Sequence, residues 1–521
     1  MTLRDNSTPV AVVGTGVAGL TAALSLADHQ PVVVLTKTDL QLTNTSLAQG
    51  GIASAWSKDD SAQSHIEDTL RVGGGVNNNE AVAFLCSQGA AAVKQLIQFG
   101  TKFDQEKNGE YRLALEGAHT SPRVLHAGGD ATGAEIQRAL SEAAIAHPNI
   151  EILEHTRLIG LLRGDQGILG IEFIGDDPGV HQLEAQAVVL ATGGSGQVYR
   201  YTANQPSATA ETLILAAQAG AKLSDIEFFQ FHPTGLDLPT KANLLISEAI
   251  RGEGALLVNQ AGEPFMEKYH PLGALASRDV VSRAIQSEAA KTGRVYLDAT
   301  QLNHEPVDVR FPNIFGRCLA LGIDARKEGI PVTPVAHYMM GGIDVDLGGR
   351  SAVPGLYAVG EVSRTGVHGA SRLASNSLLE GAVFGLEVAN TIQADAVHPP
   401  ACWVNQESKS VPLPQTSGQA VELSKEQLQT LMWDQVGLIR EESGLTQAIS
   451  TFEQSLGTAP DPKDQVAFEL YCLKLFGQMM AQSALLRTES RGSHFRQDFP
   501  IVDERYSRSV VHQFFQSPAF E

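Results

Sequence analysis

The chain has 521 residues, and 38 Lys and Arg against 58 Asp and Glu give a formal net charge of −20. This excess of acid excludes nucleic acid and an anionic membrane surface as main partners, because polyanions bind basic proteins. An apolar fraction of 43% and a charged fraction of 18% exclude a disordered chain. The length predicts about two to four domains.

The four cysteines, Cys86, Cys318, Cys402 and Cys472, are far apart in the sequence. Their spacing excludes ordinary iron–sulfur and structural zinc motifs and fits a chain without disulfides, so we expect a cytoplasmic protein. No signal peptide is expected at the polar N-terminus. Residues 9–27 carry no charge, but their glycines and hydroxyl residues favour a buried strand, turn and helix over a membrane span.

The first predicted unit is a strand, a glycine-rich turn and a helix. Val10–Val13 is apolar, and Gly14, Gly16 and Gly19 form a GxGxxG motif before a helical pattern that runs to about residue 28. The first glycine permits the turn, the second lets the backbone approach a pyrophosphate, and the third lets helix and strand pack closely. With the second apolar run at residues 31–35, this context predicts a dinucleotide site.

The end of the second strand favours FAD over NAD as the dinucleotide. An NAD site usually has Asp or Glu here to bind the ribose, whereas this chain has Thr36 and Lys37. Lys37 could meet a phosphate instead. Two later apolar runs are predicted to return to the nucleotide sheet as strands. Residues 187–191 are followed by Thr192, Gly193 and Gly194, and residues 355–361 end in Gly360 and Glu361.

Six further segments carry distinctive sequences, at residues 43–52, 231–234, 251–254, 277–279, 368–378 and 487–494. In this order they resemble the motifs of the succinate dehydrogenase/fumarate reductase flavoprotein family, over roughly residues 9–500. The resemblance implies an α/β fold with a Rossmann-like FAD-binding domain, an inserted α+β capping domain and a C-terminal helical domain.

The expected domains are a discontinuous FAD-binding domain at about 1–225 and 335–395, a capping domain at 226–334, a proline-containing linker at 396–420, and a helical domain at 421–521. Helical spacing in the last region is seen at Leu428, Leu431, Met432, Val436 and Ile439. The capping domain is expected to close over the substrate and exclude water.

Two positions indicate which branch of the family the chain resembles. Succinate-oxidising members have a histidine that bonds FAD covalently where this chain has Asn44, so non-covalent FAD is expected. Glu116 lies in a segment similar to that of the branch that oxidises L-aspartate, in which a glutamate orients the substrate amino group. Succinate and fumarate have no ammonium, and a carboxylate beside theirs would only repel them.

The resemblance also assigns the residues around the substrate. The carboxylates are expected to meet His232, Ser247, His337 and Arg372, since a guanidinium fork binds a carboxylate in a bidentate manner. Arg278 takes the position of the family's acid/base. Because a guanidinium is a poor base, we expect Arg278 to fix the substrate during amine oxidation and to donate a proton only when fumarate is reduced.

The expected FAD contacts fall in four groups. They are Gly14, Thr15, Gly16, Val17, Ala18, Gly19 and Lys37 at the pyrophosphate and ribose; Asn44, Thr45, Ser46, Ala48, Gln49, Gly50 and Gly51 at the ring; Glu211 and Glu361 at hydroxyl groups; and Ser377 and Leu378 at a helix N-terminus. That helix end can face the part of the ring that carries negative charge when reduced. No metal site is expected.

The implied reaction is oxidation of L-aspartate to iminoaspartate, by loss of the Cα hydride to flavin N5, with O2 (giving H2O2) or fumarate as acceptor. It would be the first step of de novo NAD biosynthesis and would supply quinolinate synthase. Two alternatives stay open: a soluble fumarate reductase, and a succinate dehydrogenase-type subunit that passes electrons to an iron–sulfur partner.

Overall fold

The computed structural model describes residues 8–165, 167–238, 244–397, 409–410, 421–513 and 518–521. Most of the predicted linker, and Cys402 within it, lies outside the described residues. Among the described residues, no helix is both long and apolar enough to cross a membrane.

The elements are numbered in chain order. The strands are β1 (Val10–Val13), β2 (Val32–Leu35), β3 (Ile52–Ala53), β4 (Leu113–Ala114), β5 (Val124–Leu125), β6 (Ile150–Leu153), β7 (Arg157–Arg163), β8 (Ile168–Ile174), β9 (His181–Glu184), β10 (Ala187–Leu190), β11 (Leu223–Ser224), β12 (Phe229–Leu236), β13 (Leu256–Val258), β14 (Val295–Asp298), β15 (Ile330–Met339), β16 (Gly342–Asp344), β17 (Leu356–Ala358), β18 (Ser363–Arg364), β19 (Lys409–Ser410), β20 (Val510–His512) and β21 (Ala519–Phe520). The helices are α1 (Val17–Ala27), α2 (Asn44–Leu47), α3 (Ala62–Gly73), α4 (Asn79–Gln98), α5 (Thr132–Ala146), α6 (Glu211–Gln218), α7 (Glu248–Gly252), α8 (Arg278–Thr292), α9 (Val307–Arg310), α10 (Pro312–Ala320), α11 (Asn376–Val397), α12 (Lys425–Gln435), α13 (Glu442–Ser455) and α14 (Gln465–Leu486).

A parallel sheet of order β17-β10-β1-β2-β6 forms the first layer. Val10 pairs with Val32 on one side and with Ala187 on the other, and Val188 pairs with Leu356. Strands β1, β2 and β10 are buried along their whole length, as expected for a parallel sheet covered on both faces. The prediction that the two later apolar runs join the nucleotide sheet is therefore confirmed.

The glycine turn after β1 is held by close backbone approaches. Gly14 has φ +112°, and a Cβ there would lie 2.2 Å from the carbonyl oxygen of Ala191. A Cβ on Gly19 would lie 2.0 Å from the carbonyl oxygen of Gly14. Both positions therefore require glycine, and α1 starts directly at the carboxyl edge of the sheet.

The middle of the chain forms an antiparallel sheet of order β12-β15-β14-β13 with α7 to α10 around it. A hydrophobic cluster of its own runs from Leu236 to Val332. Strands β12 and β15 also contribute Phe231 and Ala336 to the large cluster under the parallel sheet. These two long strands therefore connect the middle segment to the nucleotide-binding region.

The C-terminal helices α12, α13 and α14 pack onto the large cluster through side chains such as Met432, Phe452 and Phe476. The predicted helical run is too long at one place, because α12 ends at Gln435, before Val436 and Ile439. Gly437 follows, and any Cβ there would lie 2.3 Å from the carbonyl oxygen of Trp433. After α14 the described chain has one short 3₁₀ helix, Glu504–Tyr506, and two strands, since β20 and β21 join the sheet β18-β16-β11-β20-β21.

Candidate active site

One cavity brings together most of the residues that the sequence singled out. It is lined by Gly14, Thr15, Gly16, Val17, Ala18, Lys37, Asn44, Thr45, Ala48, Gln49, Gly50, Gly51, Glu116, Glu211, His232, Ser247, Arg278, His337, Glu361, Arg372, Ser377 and Leu378. Gly19 lies behind this wall, where it packs α1 against the sheet. Ser46 is also outside the wall, because its hydroxyl donates to the carbonyl oxygen of Thr43 at 2.8 Å and caps α2.

At one end of the cavity lies the N-terminus of α1, whose N-cap residue has no side chain to cap it. Its N-cap is Gly16, and its first turn has no acidic residue. Thr45 Oγ1 accepts from Val17 N at 3.0 Å, which ties the ring segment to this helix end. A free helix N-terminus next to a glycine turn is a site for a phosphate group.

Lys37 is held by two carboxylates in this structure. Its Nζ lies 2.8 Å from Glu211 Oε1 and 2.7 Å from Glu469 Oε1, and it donates to Thr209 Oγ1 at 3.1 Å. All three ammonium donors are thus directed at protein groups. Glu469 belongs to α14 and no sequence signal pointed to it, because only the packing of α14 on α6 brings it here.

Thr15 Oγ1 near the turn and Gln49 Oε1 in the ring segment are buried polar atoms of the cavity wall that have no partner among the described residues. Beside them, a Cβ on Gly51 would lie 2.3 Å from the carbonyl oxygen of Leu125, so the segment lies flat against β5. Unpaired polar atoms, a free helix N-terminus and close glycine packing fit a bound dinucleotide with a planar ring.

At the other end, two arginines and two histidines face the cavity. Arg372 Nη2 lies 3.1 Å from His337 Nε2, and the His232 and His337 ring centroids are 5.4 Å apart. The Arg372 guanidinium lies 4.7 Å from the centre of the Tyr338 ring. Its buried Nε has no partner among the described residues, so a donor is available to a ligand.

The two histidines are neutral in this arrangement. Burial, followed by the nearby arginines, holds the pKa of His232 and of His337 well below the usual range. Each ring can still donate one hydrogen bond to a carboxylate.

Arg278 is anchored by two side chains that sequence reasoning missed. Its Nε donates to Glu248 Oε2 at 2.7 Å and its Nη1 to Gln230 Oε1 at 2.9 Å. Burial raises the pKa of Glu248, but the charges of Arg278 and Arg251 outweigh it and hold that pKa at about 2. Gln230 directly precedes the 231–234 motif and Glu248 is near 251–254, so both motifs could have been extended to find them.

Gln230 also links the two cationic residues of the site. Its Nε2 donates to the backbone carbonyl of Arg372 at 3.0 Å, while its Oε1 accepts from Arg278. Ser247 lies nearby as the N-cap of α7, where its hydroxyl accepts from Ala249 N at 3.3 Å.

Glu116 is the one acidic side chain that faces the ring segment from the loop between β4 and β5. Its Oε1 accepts from His126 Nε2 at 3.2 Å, and Ser375 Oγ donates to its Oε2. A Cβ on Gly50 would lie 3.7 Å from Glu116 Oε1. Burial raises the pKa of Glu116, but His126 and Ser375 outweigh it and lower that pKa below the usual range, so the side chain is anionic.

The C-terminal motif at 487–494 supports the loop that carries Arg372. Ser493 donates from both its N and its Oγ to the carbonyl oxygen of Ala370, each at 3.0 Å. Arg491 Nη1 donates to the carbonyl oxygen of Gly74, and His494 is buried between Arg440 and the carbonyl of Arg487. Through these contacts the motif packs the chain end behind the loop that carries Arg372.

Comparison with known proteins places this geometry in a family. The family described as FAD binding domain matches residues 9–378, and the family described as fumarate reductase flavoprotein C-term matches residues 425–516. An L-aspartate oxidase of Synechocystis sp. is 42% identical, with 97% of each chain covered. One of Yersinia pestis is 39% identical over 98% of this chain and 99% of its own. The chain belongs to the L-aspartate oxidase family.

Solved structures agree with this assignment. A mutant of the E. coli quinol fumarate reductase FrdA is 27% identical with a TM-score of 0.86, covering 99% of this chain and 96% of its own. Mycobacterium smegmatis Sdh1 is 31% identical with a TM-score of 0.81, and the match covers 98% of this chain and 93% of the Sdh1 chain. The predicted family, fold class and FAD cofactor are confirmed. The roles of the individual site residues stay predictions.

We expect the affinity for FAD to fall as the pH drops below about 7. Burial raises the pKa of Glu361 to about 7, and its Oε1 accepts from Met339 N at 3.0 Å. A Glu361 carboxylate that accepts hydrogen bonds from FAD hydroxyl groups binds FAD in its ionised form. Below a pH of about 7 the Glu361 carboxyl must therefore lose a proton before FAD binds. This requirement weakens FAD binding by up to about tenfold for each pH unit. Fluorescence titration of the apoprotein with FAD measures this dependence. Glu361→Gln should flatten it, and an unchanged slope in that variant would contradict the role of Glu361.

Proposed function

We propose that the protein is an FAD-dependent enzyme that oxidises L-aspartate to iminoaspartate, with O2, giving H2O2, or fumarate as electron acceptor. The observation that carries the proposal is the division of charge in one cavity. Arg278, Arg372 and the two histidines offer donors at one wall, and the Glu116 carboxylate faces the same space. L-Aspartate has two carboxylates and one ammonium, and this set of charges complements it.

In the proposed complex, Arg372 binds one carboxylate through its guanidinium fork, with His337 and His232 donating beside it. Arg278 and Ser247 bind the other carboxylate. Glu116 binds the ammonium, which directs the Cα–H bond toward the ring segment. When bound, FAD accepts the hydride from Cα. The residues we propose to hold it are the N-terminus of α1, the segment from Asn44 to Gly51, Glu211, Glu361 and the start of α11.

Arg278 stays protonated throughout amine oxidation in this proposal. Its contacts with Glu248 and Gln230 fix its direction. It stabilises the negative charge of the substrate and acts as a proton donor only when fumarate is reduced. The segment 226–334, which carries Ser247 and Arg278 and has its own hydrophobic cluster, is proposed as the cap that closes the site to water.

The product is an imine that hydrolyses in water, so it needs a prompt consumer. We propose that quinolinate synthase is this consumer and that the reaction is the first step of de novo NAD biosynthesis. A cytoplasmic location fits Cys86, Cys318 and Cys472, which are buried and unpaired.

The test is an assay of the FAD-loaded protein with L-aspartate in air. We expect one H2O2 for each aspartate consumed, with oxaloacetate and ammonia from hydrolysis of the imine. No peroxide and no imine, with rapid fumarate reduction by a reduced dye, would instead identify a soluble fumarate reductase.

Because Asn44 cannot bond to flavin, acid precipitation should release all flavin to the supernatant. A yellow pellet would indicate a covalent succinate dehydrogenase-type flavoprotein.

A further inference from the structure

A small antiparallel sheet, β3-β5-β4, places a second titratable side chain directly behind Glu116. Glu116 follows β4, and His126 follows β5 without a gap. Because β4 and β5 pair, the two side chains lie together, with His126 Nε2 3.2 Å from Glu116 Oε1. Glu116 lines the cavity and its side chain is 9% exposed, whereas His126 is 17% exposed.

On the basis of the proposed function, we propose that Glu116 and His126 form a proton relay, in which Glu116 takes a proton from the substrate ammonium and His126 passes it to solvent. His126 has no role in the sequence prediction. It acts through Glu116 and does not itself touch the substrate.

The chemistry of amine oxidation requires such a step. An ammonium nitrogen has no lone pair, so the Cα–H bond cannot lose its hydride to form a C=N bond until one N–H proton has left. In the relay, the N–H bond breaks and the proton moves to Glu116 Oε1. It then moves to His126 Nε2, and the proton on Nδ1 goes to water. The hydride leaves Cα with the two electrons of the C–H bond, to the FAD that the proposed function places in this cavity, and the nitrogen lone pair forms the C=N bond.

Glu116 alone is poorly placed to release this proton. Its Oε2 is occupied by the hydroxyl of Ser375, and its Oε1 faces His126. An imidazole, by contrast, can accept a proton at one ring nitrogen and release one from the other. While Glu116 is anionic, His126 Nε2 donates to Oε1. Once Oε1 carries the ammonium proton, the His126 tautomer with its hydrogen on Nδ1 presents a lone pair to Oε1 and can accept that proton.

The other charged groups around the pair do not offer a second route. His119 Nε2 donates to the carbonyl oxygen of Ala374 at 2.9 Å, and burial lowers the pKa of His119, so its ring is neutral. Arg123 is buried in ion pairs with Asp60 and Asp68. The Asp104 carboxylate accepts from the backbone N of Gly128 and Gly129.

The test compares His126→Gln, which keeps a hydrogen bond to Glu116 but cannot carry a proton, with His126→Ala. The matched control is His147→Gln, since His147 also faces a carboxylate, Asp28, and is 21% exposed, but does not line the cavity. For each FAD-loaded protein, kcat/KM for L-aspartate is measured against pH, with and without added imidazole. Fumarate reduction and the spectral titration of succinate binding are measured in parallel.

We expect His126→Gln to lower kcat/KM for L-aspartate at neutral pH by about 10²-fold, a typical loss for a missing acid–base group. The rise of kcat/KM with pH should move to higher pH, toward the pKa of the free substrate amine. Imidazole should restore much of the activity of His126→Ala. Succinate binding, fumarate reduction and the His147→Gln control should stay within about twofold of the unmodified protein.

An unchanged pH profile in His126→Gln would overturn the relay. Equal losses of aspartate oxidation and fumarate reduction, without rescue by imidazole, would show instead that His126 only holds its loop. These outcomes are distinct from failure of the proposed function. If the proposed function is wrong, the unmodified protein itself forms no imine from L-aspartate, and the relay is then wrong as well.

Discussion

Arg372→Leu should lower kcat/KM for L-aspartate by roughly 10²–10⁴-fold. The guanidinium is buried over the Tyr338 ring, next to His337, and its unpaired Nε leaves a donor free for a ligand. Two charge-assisted hydrogen bonds to a carboxylate are together worth about 3–6 kcal/mol, which corresponds to that range. Fumarate reduction should fall by a similar factor, because both substrates carry the carboxylate that Arg372 binds.

Steady-state kinetics and succinate titration measure this effect. Arg372→Lys keeps the charge but loses the planar fork, and we expect an intermediate loss. Arg200→Leu removes the same charge from an exposed position and is the control for net charge. FAD content and Tm show whether each variant is folded. A folded, FAD-loaded Arg372→Leu protein with a normal KM would contradict the assignment.

Arg278→Leu should separate the two activities. Loss of a proton donor costs about 10²–10⁴-fold, and we expect this loss in fumarate reduction. Aspartate oxidation needs no proton from Arg278, so there the loss should be about tenfold, from weaker carboxylate binding. The arrangement with Glu248 at 2.7 Å and Gln230 at 2.9 Å supports a fixed, charged guanidinium in both reactions.

The two activities are measured on one preparation, with peroxide formation for L-aspartate and oxidation of a reduced dye for fumarate. In Arg278→Lys, fumarate reduction should again fall more than aspartate oxidation, but both losses should be smaller, because an ammonium can still bind a carboxylate. Equal losses in both activities would contradict the division of roles for Arg278.

The sequence predicted the parallel sheet and the glycine turn of the nucleotide-binding region, because their signals are local. Glycines of the GxGxxG turn have fixed roles in backbone packing, and apolar runs such as Val10–Val13 predict buried parallel strands. The order of six motifs placed His232, Arg278 and Arg372 at the other end of the cavity. Their exact contacts and the neutral state of the histidines depend on burial, which a single sequence does not reveal.

What the sequence missed depends on contacts between distant segments. Glu469 lies more than 400 residues after Lys37 in the sequence, and the two side chains meet only because α14 packs on α6. Helical spacing continued past Gln435, but the backbone turns at Gly437. His126 follows Glu116 by ten residues in the sequence, yet only the pairing of β4 with β5 places it beside Glu116. The predicted domain boundaries stay predictions.

The central claim is that Glu116 selects a substrate with an ammonium, and the most direct measurement is the ratio of two activities in Glu116→Gln. The account predicts that kcat/KM for L-aspartate falls by about 10²-fold, while fumarate reduction and succinate binding change by less than about threefold. Glu110→Gln, an exposed change in the stretch preceding β4, is the matched control and should leave both activities unaltered. Full aspartate oxidation by Glu116→Gln, or equal loss of both activities in a folded, FAD-loaded protein, would contradict it.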